Sequence, residues 1–156
     1  MIKKILIGID DSTYAENATK YGFNLAGELG AHVGLVHMVE PVAIPTASTG
    51  ADEILGSPIQ SVNVMNTEIL DAQQQMSEDI LDRTTKKYSD KFEITQFNEF
   101  GSTGEGIIEC SKTFKADLII IGTHNRTGLD RLFNGSIAEY VVRHSHIPVL
   151  VVPLGE

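Results

Sequence analysis

The chain has 156 residues, of which 42% are hydrophobic, and this is enough apolar surface for one packed domain and too much for a disordered chain. Its net charge is −9 and no run rich in lysine or arginine occurs, so we expect no nucleic-acid partner. The single cysteine, Cys110, excludes a disulfide framework and a multi-thiolate metal site, and we expect it to be a small buried side chain on a helix.

The amino terminus is basic and then apolar, as in a signal peptide. Its apolar run, however, ends at Asp10 after five residues, which is too short for the core of a signal peptide or for a membrane span. We therefore predict a buried strand over Lys4–Ile9, in a cytoplasmic protein with no membrane partner.

Further short apolar runs rich in β-branched residues predict more buried strands. With the first, they cover Lys4–Ile9, Val33–Val39, Leu118–Ile121 and Pro148–Val152. A fifth run, Phe92–Phe97, alternates between apolar and polar residues and is typical of an edge strand. Segments with helical periodicity separate these runs. The alternation predicts a doubly wound α/β fold, a five-stranded parallel sheet with helices on both faces.

Four segments have helical periodicity or helix-start signals. In the first, Gly30 stands where a helix would end, after the stripe Ala15, Ala18, Gly22, Leu25 and Leu29. The second begins after Asn66 or Thr67, with the stripe Ile69, Ala72, Met76, Ile80, Thr84 and Tyr88. Ser102 to Glu105 reads as a capping box that opens a third helix through Phe114. The fourth begins at Gly135-Ser136, with the inner face Ile137, Ala138, Val141 and Val142.

Residues 41–65 break this pattern. The segment is rich in proline, glycine and serine, and it has little periodicity. Loops of this length in a compact domain are either functional or disordered. Both interpretations stay open here, namely a lid over the site and a floppy insertion into a single domain that spans 1–156.

The loop after the fourth apolar run has features of a phosphate site. It begins with Gly122 and ends with Gly135-Ser136 at the start of the last predicted helix. Unpaired N–H groups and the helix dipole favour an anion there, and ligands of doubly wound sheets bind at the carboxyl ends of strands. The alternative is a connector that only turns the chain. The loop matches neither a Walker A sequence nor the dinucleotide fingerprint Gly-x-Gly-x-x-Gly.

This loop resembles that of the ATP-binding universal stress proteins. The family carries Gly, two residues, Gly, nine residues and then Gly-Ser or Gly-Thr at the end of its fourth strand. Gly122 matches the first glycine and Gly135-Ser136 match the closing pair. Asn125 stands in place of the second glycine, and asparagine is the residue that next best tolerates a left-handed backbone.

The resemblance covers nearly the whole chain. Lys3–Ser12 is similar to the family's first strand and the acidic turn after it, Val36–Val39 to the end of its second strand, and His146–Pro153 to its fifth strand. It implies bound ATP with Mg²⁺, and we expect the strand order 3-2-1-4-5. It also implies a homodimer through strand Pro148–Val152, whose apolar edge would otherwise be exposed.

The resemblance also implies where the nucleotide lies. Adenine is expected near Ile9 and Met38, ribose near Asp10, and the phosphates over the glycine loop. The alternative role of Asp10 is to cap the first helix. The predicted nucleotide-binding residues are Ile9, Asp10, Met38, Val39, Gly122, Thr123, Asn125, Arg126, Gly128, Gly135, Ser136 and Ile137.

No catalytic or metal-binding residues are predicted. His37 lies within an apolar strand and is expected to be a core histidine with its hydrogen bonds satisfied. No nucleophile, base and orienting acid can be identified together. Three functions remain open: a nucleotide-dependent switch in the stress response with an unidentified protein partner, a slow ATPase or phosphotransferase, and a dimeric scaffold that has lost ATP binding.

Overall fold

The computed structural model describes residues 1–41, 59–123 and 136–154, and only the backbone over 59–66. Five strands alternate with four helices in this part of the chain. They are β1 (Lys4–Gly8), α1 (Thr13–Leu29), β2 (His32–Val39), α2 (Ile59–Tyr88), β3 (Ile94–Phe100), α3 (Thr103–Phe114), β4 (Leu118–Thr123), α4 (Ile137–His144) and β5 (Val149–Pro153).

The five strands form one parallel sheet in the order β3-β2-β1-β4-β5. Strand β1 lies at its centre, where Ile7 pairs with Leu35 of β2 and with Ile120 of β4. The chain moves outward from β1 to β3 and then returns to the other side of β1 for β4 and β5. The predicted fold and strand order are confirmed, and the order reverses between β1 and β4.

Alternate residues of the central strands build two cores, one on each face of the sheet. On one face Ile5 and Ile7 pack with Phe23 of α1 and Leu81 of α2. The opposite face is built by residues such as Leu6, Val36 and Ile119 with helices α3 and α4. Because helices cover both faces of the sheet, the sequences of the central strands are continuously apolar. Cys110 belongs to the second core, and burial raises its pKa to about 11, as expected for an unreactive side chain.

Helix α1 begins after Ser12 and ends at Gly30, where the sequence predicts its end. Ser12 is the N-cap, with its Oγ accepting a hydrogen bond from the Ala15 N–H at 3.2 Å. Gly30 ends the helix in the left-handed conformation, with φ of 62°. Asp10 is therefore not the cap, and its alternative role as one is wrong.

The predicted capping box of α3 does not form. Ser102 is the N-cap but makes no side-chain capping bond. Glu105 instead accepts a hydrogen bond from the Tyr140 hydroxyl, at 3.3 Å. The backbone N–H and the hydroxyl of Thr103 are both bonded to Glu40, which comes from the end of β2. A carboxylate distant in the sequence has thus replaced the local cap.

Helix α2 is longer than predicted and is rotated about its axis. It begins at Ile59, so the last seven residues of the expected loop 41–65 are helical; the rest of that loop after Pro41 lies outside the described residues. Met76, predicted to face inward, is 62% exposed, whereas Ser77 is fully buried. The predicted stripe was chosen by hydrophobicity and therefore did not include Ser77. This polar residue is buried because its hydroxyl is hydrogen-bonded.

Both edge strands are shifted toward the carboxyl terminus from their predicted bounds, β3 by two residues at its start and three at its end and β5 by one residue at each end. Strand β3 lies at the sheet edge, as predicted, but begins at Ile94; Phe92 precedes it and packs on Phe23. Strand β5 is at the opposite edge and covers Val149–Pro153. No helix in the described ranges is long and apolar enough to cross a membrane.

Two glycines of α1 should respond oppositely to alanine. A Cβ at Gly22 would lie 2.5 Å from Ile7 Cδ1 in the core, whereas one at exposed Gly27 would only touch Phe92 Cζ at 3.5 Å. We expect Gly27→Ala to raise the free energy of unfolding by about 0.5–1 kcal/mol through helix propensity. Gly22→Ala should lower it by about 1–3 kcal/mol through overpacking. Urea denaturation of both variants measures this, and equal changes of the same sign would contradict it.

Candidate functional site

A cavity of about 340 Å³ opens at the carboxyl ends of β1 and β4, where the strand order reverses. In doubly wound sheets this position is the usual place for ligands. The lining residues are Gly8, Ile9, Asp10, Ser12, Tyr14, Ala15, His37, Met38, Thr103, Ile107, Ile121, Gly122, Thr123, Ser136, Ile137 and Ala138. Seven of the residues predicted from the sequence are among them.

The packing of Gly122 against the start of α1 requires a residue without a side chain. Strand β4 continues through Thr123, so the chain does not turn at Gly122. A Cβ on Gly122 would lie 2.6 Å from the carbonyl oxygen of Tyr14 and 3.1 Å from the backbone nitrogen of Ala15. The missing side chain therefore lets the first turn of α1 approach β4, and this contact forms the floor of the cavity.

Asp10 lies in the short connection between β1 and α1. Its Oδ1 accepts a hydrogen bond from the Ser12 N–H at 2.7 Å, which orients the carboxylate and places the N-cap. Asp10 is exposed, and the second oxygen of its carboxylate provides another acceptor at the cavity. A ligand hydroxyl group is the natural donor to such an oxygen.

Helix α4 begins at the opposite wall. Ser136 is its N-cap, and the Ser136 Oγ accepts a hydrogen bond from the Glu139 N–H at 3.1 Å. Ile137 and Ala138 follow in the first turn and also line the cavity. Backbone N–H groups in a first helical turn have no partners within the helix, so this wall can accept an anionic group.

Apolar residues form the wall near β2. Ile9 is 7% exposed, and Met38 lies against Gly106 of α3, where any larger residue would collide with the methionine. Val39 is 4% exposed and does not line the cavity; its carbonyl accepts a hydrogen bond from Gly101. Val39 therefore belongs to the scaffold around the cavity and not to its surface.

His37 is half-buried and borders the cavity, so the prediction of a core histidine is confirmed only for its Nδ1, which has a buried partner. Its Nδ1 lies 2.6 Å from Ser77 Oγ, and Ser77 Oγ donates to Asn98 Oδ1 at 2.6 Å. Because the serine has one hydroxyl proton, the neutral imidazole must donate from Nδ1. The relay joins β2, α2 and β3 beneath the cavity and fixes the tautomer of His37.

Acidification should lower the free energy of unfolding, because His37 resists protonation in the folded protein. Burial lowers the pKa of His37 below its ordinary value of 6.5, and the carboxylates of Asp10 and Asp11 only partly oppose burial. Below pH 6.5 the unfolded chain therefore binds the proton first, so the free energy of unfolding should fall from pH 7 to pH 5. We expect a smaller fall in His37→Gln, measured by urea denaturation at both pH values. An equal fall in both proteins would contradict this assignment.

Several predicted residues cannot be compared with the structure. Asn125, Arg126, Gly128 and Gly135 lie outside the described residues, so their roles stay predictions. Conversely, sequence reasoning missed Tyr14 and Ala15 at the start of α1, and Thr103 and Ile107 of α3. Tyr14 and Ala15 could have been predicted, because a helix that begins directly after the central strand must start beside the carboxyl end of that strand. Nothing local to the sequence indicated that α3 would reach the cavity.

A second concave surface of about 390 Å³ lies between α1 and α2 and shares Ile9, Asp10 and Ser12 with the cavity. It is polar, and its cations are paired: Arg83 with Asp11 at 2.8 Å and Lys87 with Glu16 at 3.6 Å. Among the described residues, no group of three or more His, Cys, Asp or Glu side chains could hold a metal ion.

The fold and the position of the cavity define a doubly wound α/β protein with a ligand cleft at the reversal of strand order. The family model of the universal stress protein family matches residues 1–153, and the chain belongs to this family. Universal stress protein MJ0531 of Methanocaldococcus jannaschii is 31% identical over 154 residues, which cover 97% of this chain and 82% of that protein. Universal stress protein MJ0577 of the same organism is 28% identical over 155 residues, 97% of this chain and 95% of that protein.

Solved structures share the fold. The structure of MJ0577 superposes with a TM-score of 0.74 at 24% identity, covering 100% of this chain and 99% of that one. A universal stress protein family protein from Arabidopsis thaliana with AMP bound has a TM-score of 0.64 at 14% identity, covering 98% and 92%. The universal stress protein from Archaeoglobus fulgidus in complex with dAMP has a TM-score of 0.58 at 15% identity, covering 97% and 98%.

Proposed function

We propose that this protein binds ATP in the cavity at the ends of β1 and β4 and acts as a nucleotide-dependent switch in the stress response. The observation that carries the proposal is the composition of this one cavity. It combines an apolar wall, an oriented carboxylate and a helix amino terminus at the strand-order reversal. These three features suit a base, a ribose and a phosphate, respectively. Relatives of the same fold are described with AMP and with dAMP bound.

The proposed pose assigns one part of the nucleotide to each wall. Adenine lies at Ile9 and Met38, and the ribose hydroxyls donate to Asp10. The phosphates lie over the first turn of α4, at Ser136 and Ile137, with Thr123 beside them. The loop residues Asn125, Arg126, Gly128 and Gly135 complete the phosphate site in this proposal.

We propose that Mg²⁺ accompanies the phosphates. Magnesium binds through a few carboxylates together with phosphate oxygens and water, so it needs few ligands from the protein. Asp10, the described carboxylate that lines the cavity, is assigned to the ribose, so phosphate oxygens and water would supply the ligands of the ion. The ion would neutralise phosphate charge in a protein whose own net charge is −9.

The switch is preferred to an enzyme because the described residues that line the cavity include no group of nucleophile, base and orienting acid at the proposed phosphates. His37 is the described histidine of the cavity, and its Nδ1 is engaged by Ser77. A slow ATPase or phosphotransferase is the alternative function, and turnover that rises with a defined acceptor would favour it. A scaffold that has lost nucleotide binding is the third function.

We further propose a single-domain cytoplasmic protein that forms a homodimer through the edge strand β5. Val149, Leu150 and Val151 are half-buried at this edge, and strand pairing across a two-fold axis would cover them. The nucleotide state would then alter which protein partner the dimer binds. Sedimentation equilibrium at micromolar concentration tests the dimer, and a monomer mass would contradict it.

Calorimetric titration with ATP and Mg²⁺ tests the nucleotide proposal. We expect micromolar binding by the nucleotide-free wild type and none by Gly135→Val, because a β-branched residue at the predicted phosphate position would block the ligand. Gly27→Ala, on the far part of α1, serves as the control and should bind as the wild type does. Absence of binding by the wild type would contradict the proposal and favour the scaffold.

A further inference from the structure

Two helices, not one, begin at the cavity. Thr103 opens α3 and Ser136 caps α4, and both residues line the same space. The amino terminus of a helix carries partial positive charge, and its first N–H groups have no acceptor within the helical ladder, so it attracts anions. A phosphorylated ligand in this cavity therefore has two places where its phosphates could be stabilised.

The α3 terminus already holds a carboxylate of the protein. The Glu40 Oε1 accepts a hydrogen bond from the Thr103 N–H at 2.9 Å and another from the Thr103 hydroxyl at 2.6 Å. These two bonds hold the pKa of Glu40 below its ordinary range, so the group is ionised at neutral pH. The α4 terminus has instead the neutral hydroxyl of Ser136 as its cap.

The backbone holds Glu40 in this position. It follows the last residue of β2, where Val39 pairs with Phe100 and accepts a hydrogen bond from the Gly101 N–H at 3.0 Å. The Glu40 carbonyl in turn accepts from Gln73 Nε2 of α2 at 3.4 Å. Three elements, β2, β3 and α2, thus fix the residue that reaches across to α3.

We propose that Glu40 is a specificity-determining residue that excludes ligand phosphates from the amino terminus of α3 and thereby directs them to α4. The inference rests on the proposed function and deepens it. A phosphate at α3 would meet the Glu40 carboxylate at the donors it needs, whereas the described cap of α4 is the neutral hydroxyl of Ser136. The cavity therefore selects ligands whose phosphates extend toward α4.

Glu40→Gln tests this role without removing the cap. The glutamine amide oxygen can still accept the Thr103 N–H, but the negative charge is gone. Glu105→Gln is the matched control, because it removes one charge from the first turn of the same helix without a bond to Thr103. Each protein is titrated with pyrophosphate, and the backbone amide signals of Thr103 and Gly104 are followed by nitrogen–proton correlation NMR.

We expect pyrophosphate to shift the Thr103 and Gly104 signals in Glu40→Gln, with about tenfold tighter binding at this position than in the wild type. At pyrophosphate concentrations that saturate Glu40→Gln, the wild type and Glu105→Gln should show only small shifts of these signals. Shifts of equal size in the wild type, or none in Glu40→Gln, would overturn the inference. ATP titration of the wild type separates the two claims: failure to bind overturns the proposed function and the inference together, whereas ATP binding with an unresponsive Glu40→Gln overturns the inference alone.

Discussion

Replacing Gly122 by alanine is expected to lower the free energy of unfolding by about 1–3 kcal/mol and to weaken ATP binding at least tenfold. The new Cβ would lie 2.6 Å from the Tyr14 oxygen and 2.7 Å from the Tyr14 carbonyl carbon. Both are backbone atoms, so no side-chain rotation can relieve the contact. The start of α1 must move away from β4, and the cavity floor moves with it.

Gly27→Ala is the control for this substitution. It adds the same methyl group to the opposite part of α1, where the nearest contact is Phe92 Cζ at 3.5 Å. Urea denaturation and ATP calorimetry on both variants separate the effect of the contact from that of glycine replacement. A Gly122→Ala protein as stable as the wild type and with unchanged ATP affinity would contradict the packing described here.

Asp10→Asn is expected to reduce ATP affinity by about 10- to 100-fold, whereas Asp11→Asn should change it less than about threefold. A hydrogen bond to a charged group contributes about 1.5–3 kcal/mol, and Asp10 is the carboxylate proposed to accept the ribose hydroxyls. The asparagine oxygen can still accept the Ser12 N–H, so the turn before α1 is preserved.

Asp11 is a close control for that comparison. It is the next residue, its loss removes the same charge, and it faces Arg83 in the groove between α1 and α2. That ion pair is exposed and contributes little to stability. Calorimetric titration of both variants with ATP gives the comparison. Equal losses of affinity would show that net charge matters and that the position of the Asp10 carboxylate does not.

The sheet was predictable because its determinants are local. Apolar runs such as Leu118–Ile121 lie in strands buried on both faces, and Gly30 ends α1 in the one conformation that favours glycine there. The bounds of β4 were less accurate, because Gly122 and Thr123 carry no apolar signal and are held in the strand by pairing with β5.

The contacts that shape the cavity were not predictable, because they join residues far apart in the sequence. The contact of Gly122 with Tyr14 depends on how α1 crosses β4, and the cap of α3 by Glu40 spans 63 residues. Likewise, the burial of Ser77 follows from its partners His37 and Asn98, which lie on two different strands. Local sequence patterns contain no information on such contacts. They led to two wrong predictions, a capping box at the start of α3 and a Met76 side chain that faces the core.

The most direct test of the central claim is nitrogen–proton correlation NMR of the wild type during titration with ATP and Mg²⁺. Binding in the cavity predicts that the amide signals of Ile9, Asp10, Met38 and Gly122 shift together with those of Ile137 and Ala138. The signals of Arg83, Thr84 and Lys87, in the groove between α1 and α2, should stay in place. Shifts confined to that groove, or no shifts at saturating ATP, would contradict the account.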